Sequence, residues 1–222
     1  MDWILIRGRM KTLQISVTLL LIVILSSCDN QTNNTENLKI TDTAKGQKQD
    51  YNENTSIKSI MVNAVSLLRN HNVDVNNDRD FAEMMIYYNH TAIDMSNVLF
   101  NKGKNVELIK FTNESISRRK DVMNEMSTFL EREPKDESSS TKVFQDAINN
   151  AISKMRMSSN FPDKNFDNLF VKNMILHHES GIDMAEAEIK FGSHQTLKMR
   201  ARNIISAEKD EIDWMQSWLK NK

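Results

Sequence analysis

From residue 57 onward, apolar side chains recur every three or four positions, and short polar breaks separate one run from the next. Ile57, Ile60, Met61, Ala64, Val65 and Leu68 make the first stripe, which predicts a short amphipathic helix. A longer helix is expected from about Asp80 to Phe100, ending in Asn101-Lys102-Gly103-Lys104-Asn105, where Gly103 suits a left-handed C-cap. A third runs from about Val106 to Glu131 and is stopped by Glu133-Pro134. Lys135 to Ser140 is a polar, serine-rich connection.

The pattern then begins again. Phe144, Ala147, Ile148, Ala151, Ile152 and Met155 repeat the first stripe at an offset of 87 residues (144 − 57). Beyond the next loop the offset is 89 (170 − 81) and holds from Phe81/Phe170 through Met85/Met174, Met95/Met184 and Gly103/Gly192 to Met126/Met215. An ungapped match of this length marks a duplicated unit, with one copy over about 57–131 and the other over about 141–220. Each copy holds one shorter helix and one long helical hairpin. A hairpin cannot bury its apolar stripe alone, so the two should pack as an all-α four-helix bundle with pseudo-twofold symmetry, flanked by the two shorter helices.

The first 55 residues do not follow this pattern. Arg7, Arg9 and Lys11 precede the apolar run Ile15 to Leu25, which is short for a membrane span and reads as the core of an export signal. The run ends in Leu25-Ser26-Ser27-Cys28, which resembles the lipobox of bacterial lipoproteins. Residues 1–27 are therefore expected to be removed, with Cys28 acylated as the new N-terminus. Residues 28–55 have few apolar side chains and are expected to be a disordered tether, placing a domain over 56–222 at the cell envelope, anchored to a membrane.

Composition narrows the function. The chain is 39% apolar and 27% charged with a net charge of −1, so nothing points to nucleic acid as a partner. Cys28 is the single cysteine, which excludes an internal disulfide or thiolate cluster. Five glycines leave no phosphate-binding loop, and no Glu-x-x-His pair or nucleophile elbow occurs, so no enzyme is expected.

The candidate chemistry lies in Met174 to Ala185, which carries His177 and His178, the only adjacent histidines. At about 100° per residue, Met174, His177, His178, Gly181, Ala185 and Glu188 share one helix face, with Met184 beside it. Imidazole suits copper and zinc, and thioether sulfur is soft enough for Cu(I), so this face is a candidate transition-metal site with copper the leading ion. Twelve methionines lie in the mature chain (fourteen less Met1 and Met10); Met155 and Met157 are weaker candidates. The first copy places Tyr88 and Asn89 opposite the histidines, where they can hydrogen-bond to the imidazoles and orient them. Glu208 interrupts the apolar stripe of the last helix, and its counterpart is Arg119, so Glu208 should meet Arg119 or the histidines. Asp94 and Asp183 fall away from the stripe and should be solvated.

The run Asp167-x-x-Phe170-x-x-x-Met174-Ile175-x-His177-His178-x-x-Gly181-Ile182-x-Met184-Ala185, with Ile204-Ile205-x-x-Glu208-x-x-Glu211-Ile212-x-x-Met215-x-x-Trp218-Leu219, resembles the DUF305 family. The resemblance covers about residues 80–220 and implies a duplicated ferritin-like bundle. Some exported bacterial members of that family bind copper. In the family the first repeat often keeps its own histidine pair, here Tyr88-Asn89, and Gln is common where this chain has Glu208.

Two readings follow. One is a lipid-anchored copper-binding protein for buffering or tolerance, with Met174, His177, His178 and Met184 as ligands and Glu208, Arg119, Tyr88 and Asn89 around them. The other is a non-metal structural or interaction module in which the same residues form a buried polar network. Whether the chain self-associates is open under both.

Overall fold

A computed structural model describes residues 56–70, 76–133, 140–157 and 163–222, all within the unit Gln49–Lys222. The export signal, Cys28 and the tether lie outside the described residues. Six helices follow one another: α1 (Ile57–Asn70), α2 (Asn77–Lys102), α3 (Val106–Arg132), α4 (Lys142–Met155), α5 (Phe166–Phe191) and α6 (Gln195–Lys220). Among the described residues there is no strand, and the chain is all-α.

Local chemistry sets the helix starts. Asn76, Asn105, Thr141 and Asn165 each accept a hydrogen bond from the backbone N–H three residues on, capping α2, α3, α4 and α5. α2 therefore starts earlier than Asp80. At α6 the N-cap residue His194 makes no side-chain cap bond, and the work passes to Asp78 of α2. Asp78 accepts from the Ser193 and His194 N–H groups at 2.9 and 2.8 Å. Its counterpart Asp167, in the first turn of α5, accepts from the Lys104 and Asn105 N–H groups at 3.0 Å each. Each hairpin thus clamps the turn of the other, and the duplication is visible as a pseudo-twofold axis.

The two turn glycines do not need a left-handed backbone. Gly103 has φ −71° and ψ 152°, and Gly192 has φ −67° and ψ 164°, both extended. What excludes a larger residue is space. A Cβ on Gly103 would lie 2.6 Å from the Leu99 carbonyl oxygen and 3.0 Å from Asp167 Oδ1, so the clamp itself requires glycine there.

α2 and α5 pack together at the centre, with α3 against α2 and α6 against α5. α1 lies on α2, α4 and α5, and α4 lies on α5 and α1, so the shorter helices flank the α2–α5 pair. Phe81, Met84, Met85, Leu99, Phe144 and Phe170 are among the fully buried side chains that join these layers.

Candidate functional site

The middle of the bundle is polar. α5 turns His177 and His178 inward, both fully buried, on the face that also carries Met174, Gly181, Met184, Ala185 and Glu188. α2 supplies Tyr88 and Asn89, α3 Arg119, and α6 Glu208 and Glu211, all buried.

Tyr88 and His177 occupy equivalent positions and meet across the pseudo-twofold axis. Their rings stack with centroids 3.8 Å apart and planes 19° from parallel. The bonding is reciprocal: His177 Nε2 donates to the Tyr88 carbonyl at 3.0 Å, and the Tyr88 hydroxyl donates to the His177 carbonyl at 2.9 Å. Glu208 Oε1 also lies 2.7 Å from that hydroxyl. One hydroxyl proton cannot serve both oxygens. Burial pushes the Glu208 carboxyl up to about 8, against the opposing pull of Arg119, so at neutral pH it carries a proton. Both contacts are then hydrogen bonds, with the carboxyl proton on the tyrosine oxygen. Burial, followed by the Glu208 charge, also raises the Tyr88 hydroxyl well above its usual range.

Beside this pair runs a charged chain. Glu211 Oε2 lies 2.7 Å from His178 Nε2 and 2.7 Å from Arg119 Nη2, and Arg118 Nη2 is 2.7 Å from Glu211 Oε1. Arg119 Nη2 also approaches His178 Nε2 at 3.1 Å, but that nitrogen carries either one proton or one lone pair. Glu211 can only accept, so the proton sits on Nε2 and the contact with Arg119 is not a hydrogen bond. Although burial raises it, Glu211 is held well below the carboxylate range by Arg119, His178 and Arg118.

The same logic fixes both imidazoles. Each has its Nε2 proton committed, to Tyr88 or to Glu211, which leaves Nδ1 with a lone pair. Burial lowers both pKa values, at His177 with the help of His178 and Arg119, and at His178 against the opposing pull of Glu211, so the neutral form of each ring is favoured. Nδ1 of His177 and Nδ1 of His178 are buried and make no well-formed hydrogen bond among the described residues, although the Met174 carbonyl one turn back lies close enough to His178 to favour its protonated form. The two imidazoles, one residue apart and 5.9 Å between ring centroids, are both fully buried in the middle of the bundle.

Gly181 makes the arrangement fit. A Cβ there would fall closer than 3.0 Å to Tyr88 Oη, Tyr88 Cζ and Glu208 Oε2.

The sequence-derived neighbours are placed as follows. Met174 and Met184 are buried on the same face of α5 as the histidines, Met155 is buried in α4, and Met157 is 55% exposed. Asn89 does not reach an imidazole; its amide donates back to the Met85 carbonyl at 2.8 Å on its own helix. Glu208 bonds to Tyr88, while the ion pair of Arg119 goes to Glu211. Asp183 is not simply solvated, since Lys154 of α4 pairs with it at 2.5 Å. Glu211 was missed as a site residue. Its signal was present: it lies about 60° from Glu208 on the helix wheel, at the edge of the apolar arc, where the first copy has Val122. Among the described residues no three His, Cys, Asp or Glu side chains form a group able to hold a metal ion.

Residues 78–219 match the family described as Domain of unknown function (DUF305). The chain belongs to this family. The family match starts at the clamp residue Asp78 and takes in both hairpins, while α1 lies outside it. No curated protein is found to match the chain. Among solved structures, one of "CopM in the Cu(I)-bound form" is 25% identical, with a TM-score of 0.49 over 65% of this chain and 96% of that chain. At that TM-score the likeness carries no argument about the ligand of this chain.

Proposed function

We propose that the protein binds one copper ion, as Cu(I), in the middle of its bundle and buffers it at the cell envelope. The observation that carries this reading is the pair of buried Nδ1 lone pairs on His177 and His178. A buried polar atom without a partner is costly, and a cation is the ligand that two adjacent neutral imidazoles satisfy. With no third His, Cys or carboxylate able to join them among the described residues, the remaining donors are the thioethers of Met174 and Met184, which select a soft ion. Glu211 and the Tyr88 carbonyl, bound to the far ring nitrogens, would fix the tautomers and orient both rings. Bound copper would accept electron density from these ligands; the chain's own residues hold the rings in place. The role is binding rather than catalysis.

Export rests on Leu25-Ser26-Ser27-Cys28, and the membrane partner would be reached through acylated Cys28. No described helix is long and apolar enough to cross a membrane.

A second reading has its own support. Tyr88, Glu208, Glu211, Arg119 and the two histidines make a connected hydrogen-bond network, which is what a purely structural core device would need. Titration of the domain with Cu(I) against a competing chelator separates the two. The copper reading expects one equivalent to bind wild type and a His177→Ala/His178→Ala variant to lose it. Unchanged affinity in that variant leaves the structural reading standing.

A further inference from the structure

We propose that the gap between α3 and α6 is the route by which a small solute reaches the polar centre, and that Arg118 closes it. Three of the bundle's four neighbouring helix pairs are close-packed: α2 with α3, α5 with α6, and α2 with α5. α3 and α6 have almost no backbone contact and are bridged by side chains instead. Phe111 stacks on Trp214 at 3.7 Å, Arg200 pairs with Glu125 at 2.5 Å, and Arg118 pairs with Glu211 at 2.7 Å.

Between the bridges lies an open cleft of about 480 Å³. Next to it is a smaller recess of about 40 Å³ lined by Met85, Asn89, Arg119, Glu208 and Glu211. The two spaces share Arg118, Val122, Ile204 and Ala207, so only these side chains separate the surface cleft from the polar centre. The smaller volume suits a few water molecules or an ion stripped of most of its water.

Arg118 crosses this passage. Its side chain is 53% exposed, while that of Glu211 is 10% exposed. When Arg118 swings out, Glu211 keeps Arg119 and His178, so no buried charge is left unpaired. An ion pair with one partner in water contributes little, so opening is frequent. The route is independent of what travels along it; its use for Cu(I) rests on the copper reading.

Two readouts on the whole domain keep these apart: solvent exchange of the His178 Nε2 proton by NMR, and stopped-flow uptake of Cu(I). Backbone amides of α5 serve as the reference for global opening. Arg118→Ala should speed both processes by about two- to fivefold, the range that losing an exposed ion pair allows. Arg118→Lys should retain most of the closure, and Ala207→Phe, which fills the shared wall, should slow both. If the exchange rates shift as stated and wild type takes up no Cu(I), the route stands and the copper reading falls. If Cu(I) binds but neither Arg118→Ala nor Ala207→Phe alters either rate, the route is wrong and the copper reading survives.

Discussion

Gly181→Ala is a test in which two physical terms have opposite signs. Gly181 lies inside α5, where alanine is favoured over glycine by about 1 kcal/mol, so with free space the substitution would stabilise the protein. The space is not free. The new methyl would meet Tyr88 Oη and Cζ on one side and Glu208 Oε2 on the other, all closer than 3.0 Å. Tyr88 cannot retreat, because its ring is fully buried and stacked on His177 at 3.8 Å. Overpacking of this kind costs about 1–3 kcal/mol. Displacing the hydroxyl also weakens its bonds to the His177 carbonyl and Glu208, at about 1 kcal/mol each. Against the propensity gain, the net loss is about 2–4 kcal/mol, or on the order of 5–15 °C in Tm for a domain of this size. Thermal and urea unfolding of wild type and Gly181→Ala measure it. A variant as stable as wild type, or more stable, would show that the tyrosine–glutamate contact is not formed as described.

The charged groups predict more. Glu208 and Glu188 are pushed up to about 8 and about 9, chiefly by burial, so each holds a proton when folded that it has lost when unfolded above pH 5. Raised carboxyl values favour the folded state below the unfolded pKa, and that advantage is lost as pH rises through the folded one. The histidines work the other way, but only below their usual 6.5. Between pH 6.5 and 8, stability should therefore fall with rising pH; Glu208→Gln, which keeps an N–H on Tyr88, should reduce that slope by up to about 1.4 kcal/mol per pH unit. An equal slope in the variant, followed by urea unfolding across that range, would refute the assignment. Glu211→Ala strands Arg119 and should cost about 3–5 kcal/mol, whereas Arg118→Ala, at the exposed end of the same chain, should cost about 1 kcal/mol or less. Similar losses in the two would mean that burial does not separate them.

Much of the bundle could be read from periodicity, because each helix buries one face and the duplication supplies the pairing of hairpins. The histidines were legible for the same reason: His177 and His178 share an arc with Met174, Ala185 and Gly181, and all are buried. Partners across helices were not. Helical spacing places Glu208 inward but says nothing of which inward residue it meets. Tyr88 reaches it because the pseudo-twofold axis brings position 88 against position 177. Arg119 then falls to Glu211, one turn further along α6. Asn89 is turned back on Met85, since an amide within a helix can satisfy itself locally. Gly103 and Gly192 show a related limit: glycine at a turn reads as a left-handed cap, yet both are extended and kept small by the clamp carboxylate or by Glu188 packed beneath them.

The central claim is that the two free Nδ1 lone pairs are where the metal binds. Nitrogen-15 NMR of the histidine rings, before and after one equivalent of Cu(I), tests it most directly. The metal-free protein should show Nδ1 unprotonated and Nε2 protonated on both His177 and His178. Copper should shift both Nδ1 signals while each Nε2 keeps its proton on Tyr88 or Glu211. Loss of the Nε2 protons with Nδ1 unmoved, or no change at either nitrogen, would contradict it.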